Sequence, residues 1–266
     1  MIDPGFKDKV VCVTGGNNPR GIGAATARAF AAESAVVFIH YSHRMKEGKT
    51  ESVEASEEPG EALYLHTQTL SADGVVEEIR DRGGRAQAWE ADLGDPATIA
   101  LLFDAVEQAF GPVDVLVNNA AHCEPDTFVP GKSPEAGDRI LGGLGPSVST
   151  FTRETHDRHF AVNSRAVALL TAEFARRHIA RGRHWGRIIN VSTDGASGFP
   201  GEVSYWASKH LLNRTAARRL ANLDPTVSRS TSCRPGPFNR LDVTRAGSQG
   251  SARNSSGAAG PAGGRG

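Results

Sequence analysis

Lys9-Val10-Val11-Cys12-Val13-Thr14-Gly15-Gly16-Asn17-Asn18-Pro19-Arg20-Gly21-Ile22-Gly23 is the stretch on which the reading of this chain turns. Lys9 to Thr14 is a short, valine-rich run of the kind that forms a strand buried on both faces. A glycine-rich loop follows, then Ala24 to Ala32, rich in alanine and helical in pattern. Glycines in such a turn let the backbone approach a pyrophosphate, and a helix start offers free N–H groups and the positive end of its dipole. A glycine-rich turn alone is ambiguous. One set between the first strand and the first helix is a candidate phosphate cradle.

Outward from that unit the rhythm repeats. Ser34 to His40 reads as a second buried strand, Ser71 to Arg82 as a helix and Arg85 to Leu93 as a strand. Asp95, as an N-cap, opens a helix to about Phe110. Val113 to Asn118 is a strand, Thr155 to about Arg181 one long helix, Gly186 to Ser192 a strand and Val203 to about Leu223 a helix. This alternation predicts an α/β fold, a doubly wound parallel sheet with helices on both faces. Two stretches interrupt it. Tyr41 to Leu70 is polar and longer than a simple connection. Cys123 to Arg153 reads as a long loop beyond a strand's carboxyl end, where open α/β sheets bind ligands. Thr226 to Arg234 is too polar for a central strand, and Ala246 to Gly266 has a composition that cannot offset ordering entropy. Residues 1–240 are therefore expected to form a single domain and 241–266 a disordered tail.

Bulk properties narrow the classes. The 266 residues suffice for one large domain with a real core. Lys plus Arg and Asp plus Glu each number 30, so net charge points to neither nucleic acid nor an anionic membrane as partner. No long apolar run exists, Met1 to Gly5 lacks an apolar signal segment, and Cys12, Cys123 and Cys233 are few and far apart. A reduced, cytoplasmic setting is expected.

Chemistry concentrates at one sheet edge. Asp92 ends the third strand, and Asn118-Asn119-Ala120-Ala121 ends the fourth, so both converge with the glycine loop on one crevice. Downstream, Tyr205-Trp206-Ala207-Ser208-Lys209 follows Ser192 by thirteen residues. Residues four apart share a helix face, so Tyr205 and Lys209 can point at one place. A free phenol titrates near ~10, and a cation within about 4–6 Å lowers an acidic pKa by roughly 1–3 units. Tyr205 is thus a candidate proton donor and acceptor near neutral pH.

Taken together, Thr14–Gly23, Asp92, Asn118–Ala121, Asn163, Ser192, Tyr205, Lys209 and Pro235-Gly236 resemble the short-chain dehydrogenase/reductase family, in its 3-oxoacyl-carrier-protein reductase-like branch. The resemblance spans roughly residues 7–237. It implies a Rossmann-type domain that uses NAD(H) or NADP(H) to interconvert a ketone and a secondary alcohol. By that resemblance Thr14, Gly15, Arg20, Gly21, Ile22 and Gly23 would form the dinucleotide loop, and Asp92 with Leu93 would meet the adenine. Asn119 and Ala120 would hold the ribose side, with Pro235 and Gly236 also at the cofactor. Tyr205 would exchange a proton with the substrate oxygen. Lys209 would lower the Tyr205 pKa and bind the ribose hydroxyls, Ser192 would hydrogen-bond the carbonyl, and Asn163 would sit in a proton relay behind Lys209.

NADP(H) is favoured over NAD(H), because strand two ends in His40-Tyr41-Ser42-His43-Arg44 with no acid to accept from a ribose 2′-OH, while Arg20 could pair with a 2′-phosphate. The chain also departs from the family. Its glycine loop is longer, and counting along the strand puts Thr193 at the usual serine place, whereas spacing from Tyr205 selects Ser192. After Pro235-Gly236 a low-complexity tail replaces the expected last strand, resembling a frameshifted or truncated product. A sheet without that strand would have an open edge, a weakened homo-oligomer contact and a site without a lid. The competing expectation is therefore an inactive dinucleotide-binding remnant. His156 and His159 lack an evident third ligand and read as solvated helix residues, so no metal is expected. His122-Cys123-Glu124 reads as crevice lining, and the basic cluster Arg176 to His184 as cations at a helix end.

Overall fold

The computed structural model describes residues 4–43, 61–128, 148–193, 201–219, 229–235 and 241–245. The valine run forms β1 (Val10–Thr14), buried along its whole length. It pairs in parallel with β2 (Val36–Tyr41) on one side and, across the sheet, with β4 (Val115–Asn118) on the other. β3 (Arg85–Glu90) lies beyond β2, and β7 (Arg187–Val191) beyond β4. Between these strands run α1 (Ile22–Ala32), α2 (Glu61–Gln68), α3 (Asp73–Asp81) and α4 (Thr98–Phe110). Two short strands, β5 (Asp126–Thr127) and β6 (Ser149–Thr150), pair in parallel beside the main sheet. The second half carries α5 (Arg153–Phe160), α6 (Val167–Ala180) and α7 (Val203–Arg219). The main sheet closes with β8 (Arg229–Pro235) and β9 (Leu241–Arg245), in the order β3-β2-β1-β4-β7-β8-β9.

Strand alternation splits the core into two layers. Val11, Val13, Val37, Ile39, Val115 and Val117 face one way, onto Ala24 and Ala27 of α1 and Val75, Val76 and Ile79 of α3. Val10, Cys12, Phe38, Leu116 and Ile188 face the other, onto Ile99, Leu102, Phe103 and Val106 of α4 and Leu170 and Phe174 of α6. A sheet covered on both faces needs apolar side chains at odd and even positions alike, hence the unbroken apolar runs. Successive connections leave β1 in opposite directions. The reversal puts a crevice at the carboxyl ends of β1 and β4, the usual ligand position in open α/β sheets.

Four expectations are corrected. The sheet does gain strands after β7: β8 runs parallel to it and β9 antiparallel to β8, with Thr231 opposite Arg245. Composition measures what a segment can bury, but a ladder at the end of an existing sheet forms through main-chain hydrogen bonds that do not depend on side-chain polarity. The last strand is therefore present and residues 241–245 are not tail; residues 246–266 lie outside the described residues. The single helix from Thr155 is two helices, α5 and α6, joined by a π-helical turn at Ala161–Ala166, and Thr152 caps α5 by accepting from the Thr155 N–H. Asp95 does not cap α4 directly: its side chain accepts from the Ala97 N–H, in a turn ahead of Thr98. Finally, α2 occupies part of the stretch read as a polar insertion. In the basic cluster, Arg177 does more than face a dipole, pairing with Glu107 at 2.8 Å and Asp104 at 2.7 Å to fasten α6 to α4.

Candidate active site

The glycine loop is shaped by steric exclusion. Gly15 has φ of 72°, and a Cβ there would stand 2.7 Å from the Ala120 Cα, so only glycine lets the two strand ends close on each other. A Cβ on Gly23 would lie 2.3 Å from the Gly15 carbonyl oxygen and 2.6 Å from Asn119 Nδ2. Gly16, within the same loop, is constrained by a side chain instead of backbone, its Cβ falling 2.6 Å from the Ile39 Cγ2 methyl. The Gly15 and Gly16 N–H groups both donate to the His40 carbonyl, at 2.7 and 3.2 Å, which ties the loop to the end of β2. Gly21 gives α1 no side-chain cap. The first N–H groups of α1 therefore have no acceptor within the helix and suit an anion.

Thr14 and Asn119 knit the crevice floor. The Thr14 hydroxyl donates to the Val117 carbonyl and accepts from the Asn119 and Ala120 N–H groups. Asn119 Nδ2 donates to the carbonyls of Thr14 and Gly15 at 2.9 and 2.8 Å. Asp92 is exposed at the rim and accepts from the Gly94 N–H, whereas the Leu93 side chain is buried in the core beneath. Arg20 is exposed on the loop. Pro235 ends β8; Gly236, Arg44 and the segment 129–147 of the long loop lie outside the described residues.

Beside the end of β7, α7 brings Tyr205 and Lys209 to one face, with Lys209 Nζ 6.0 Å from the centre of the Tyr205 ring. Lys209 is buried, 2 % exposed, and donates to the Val191 carbonyl at 3.1 Å. Burial pushes its ammonium down to about 8. Ser192, the residue after β7, is 3 % exposed, and its hydroxyl has no hydrogen-bond partner among the described residues. Asn163 is fully buried in the π-helical turn, a feature that often marks functional sites. Its side chain accepts from the His122 N–H and donates to the His122 carbonyl and the Ser208 hydroxyl. Ser208 in turn donates to the Tyr205 carbonyl. The turn thus braces α7 and the loop after β4 at once.

Three features escaped sequence reasoning. His159 is not a solvated helix residue: it is fully buried, donates to the Thr155 carbonyl and accepts from the Glu124 N–H at 3.1 Å. Among the described residues no cluster of three metal-ligating side chains occurs. Glu90, at the end of β3, lies beside β2 and pairs with His43 at 2.6 Å, so an acid stands near the end of strand two in space though not in sequence. Asp126, fully buried, bonds both the N–H and the hydroxyl of Ser204. No local signal marks a pairing across 78 residues.

The structure thus brings a constrained glycine loop to the end of β1, and a buried hydroxyl, a tyrosine and a lysine to the end of β7 and the start of α7. Comparison with known proteins gives the family. The family model described as short chain dehydrogenase matches residues 48–246. The "Short-chain type dehydrogenase/reductase" of Picea abies is 31 % identical over 233 residues, covering 86 % of this chain and 70 % of that protein. The "NADPH-dependent aldehyde reductase-like protein, chloroplastic" of Arabidopsis thaliana is 28 % identical over 231 residues, covering 86 % and 72 %. Among solved structures, a metagenomic short-chain oxidoreductase in complex with NADP superposes with a TM-score of 0.61 and 29 % identity, over 87 % of this chain and 83 % of that one. The chain belongs to the short-chain dehydrogenase family, a family of oxidoreductases.

Proposed function

We propose that this chain uses NADP(H) to interconvert a ketone and a secondary alcohol, with 3-oxoacyl compounds as the first substrate class to test. The observation that carries the reading is the buried Ser192 hydroxyl, which has no partner among the described residues, close to where Tyr205 and Lys209 share a face. A buried polar group without a partner costs free energy, and a substrate carbonyl oxygen entering the crevice relieves it. The cradle fits a dinucleotide: its glycines bring the loop against Ala120, and the uncapped start of α1 takes the pyrophosphate. When bound, the nicotinamide supplies or accepts the hydride.

This chain's own residues do the rest. Ser192 donates to the carbonyl oxygen and orients it. Tyr205 gives its phenolic proton to that oxygen during reduction and takes it back during oxidation. With a pKa of about 8, Lys209 is largely ammonium at pH 7, and its charge favours the phenolate. Asn163, its amide engaged by His122 and Ser208, braces the wall behind Lys209. NADP(H) is supported by the exposed Arg20 on the loop, by the engagement of Glu90 with His43, and by the relatives whose names carry NADP or NADPH. Three cysteines, few and far apart in the chain, support a reducing, cytoplasmic setting.

Fluorescence titration with NADPH and turnover against a ketone panel test this reading. Tyr205→Phe should keep NADPH binding and lose roughly 10²–10⁴-fold in kcat, the contribution of a positioned acid–base group. Full rate in that variant refutes the mechanism. NADPH binding without turnover in the parent chain favours the inactive remnant instead.

A further inference from the structure

We propose that Asp126 is a positioning residue: its carboxylate grips the first turn of α7 and so sets the Tyr205 phenol against Lys209 and Ser192. The inference rests on the oxidoreductase reading above, because Asp126 acts through Tyr205 and touches no reactant.

Asp126 is 0 % exposed, an uncommon place for a carboxylate unless hydrogen bonds hold it. One oxygen accepts from the Ser204 N–H at 2.9 Å and the other from the Ser204 hydroxyl. Ser204 is itself 0 % exposed. The Asp126 N–H donates to the Gly201 carbonyl at 2.8 Å, and Asp126 forms a parallel bridge with Glu202. Its other edge is held by β6 through the pairing of Asp126 with Ser149. The acceptor therefore sits in a fixed frame.

Ser204 is the second residue of α7, and its N–H is one of the donors that a helix start leaves unsatisfied. A carboxylate there satisfies the donor and faces the positive end of the helix dipole. The first turn of α7 contains no acidic residue of its own, Glu202 standing just ahead of it, and the carboxylate that bonds its Ser204 N–H comes from β5. Bonds to both the N–H and the hydroxyl of one residue fix where the helix begins and how it is rotated. The next residue is Tyr205. A reacting group displaced by about 1 Å can lose on the order of 10²-fold in rate.

Two variants separate positioning from charge. Asp126→Asn keeps an acceptor for the Ser204 N–H and a polar partner for its hydroxyl, without the charge. Asp126→Ala removes both. The chain has three tyrosines, so ¹³Cζ-tyrosine labelling gives three resonances, with Tyr205 assigned by its loss in Tyr205→Phe. At pH 7, where Lys209 is largely ammonium, the Tyr205 ¹³Cζ resonance should shift in Asp126→Ala, as the phenol leaves that neighbour. Asp126→Asn, which loses the anion but keeps the acceptor, separates the loss of charge from the loss of the clasp. Turnover should fall on the order of 10²-fold in kcat while the NADPH dissociation constant stays within about twofold. Asp126→Asn should restore both readouts, and the Tyr41 resonance should not move in either variant. An unchanged Tyr205 resonance in Asp126→Ala at pH 7, or an Asn variant that behaves like Ala, overturns the proposal. If Asp126→Ala does not fold, Ser204→Ala removes the hydroxyl donor alone and should shift Tyr205 in the same direction by less; no shift overturns the proposal too. The resonance needs no turnover. A parent chain that reduces no ketone refutes the oxidoreductase reading and leaves Asp126 to be judged by the resonance.

Discussion

Lys209→Met should make the protein without cofactor more stable at pH 7, even as it removes the ammonium the proposed chemistry needs. Lys209 is 2 % exposed, and burial lowers its pKa from 10.5 to about 8. The folded state therefore binds the proton more weakly than the unfolded chain. The sign follows: below pH 8 the buried charge costs stability, and the cost is relieved as pH rises from 8 towards 10.5. A shift of that size is worth about 3 kcal/mol, fully present at pH 7. Methionine keeps much of the side-chain volume but loses the bond to the Val191 carbonyl, worth about 1 kcal/mol. The net expectation is a gain of about 2 kcal/mol at pH 7, or a rise of some ~5 °C in Tm. Between pH 7 and 9.5 the parent chain should recover about 2 kcal/mol against the variant. Urea denaturation of both proteins at pH 7, 8 and 9.5 measures this directly. A variant no more stable at pH 7, or a difference that does not shrink with rising pH, would refute the claim that Lys209 is held at an energetic cost.

Two further outcomes follow from the packing. Gly23→Ala forces a Cβ to within 2.3 Å of the Gly15 carbonyl and 2.6 Å of Asn119 Nδ2. Overpacking of this kind costs about 1–3 kcal/mol, and the loop it displaces is the proposed phosphate cradle. NADPH affinity should drop at least about tenfold together with Tm, and an unchanged titration would remove the cradle from the site. Cys12 is buried in the sheet, and its thiol is pushed up to about 12, so very little thiolate exists at pH 8. Under a thiol reagent, mass spectrometry should find the Cys12 peptide unmodified when the half-buried Cys123 is already labelled; equal rates would contradict the buried placement.

Sequence patterning reached as far as the forces that act between near neighbours. The unbroken apolar runs at Val10–Thr14, Val36–Tyr41 and Val115–Asn118 announce strands covered on both faces, and the glycine turn between β1 and α1 announces its own shape. The four-residue spacing of Tyr205 and Lys209 likewise fixes their shared face, because helix geometry does so. The same locality conceals β8 and β9. Their pairing depends on the main chain of a neighbour, which composition does not encode.

By itself, then, the sequence determined the alternation of strands and helices, the glycine turn and the tyrosine–lysine face, since each arises from contacts within one or two turns of chain. Tertiary structure alone decided that Asn163 clasps His122, that Glu90 stands beside β2, and that Asp126 holds the start of α7. Those pairings join residues 41 to 78 positions apart, and only the folding of strands and helices into layers brings their polar groups within hydrogen-bonding distance.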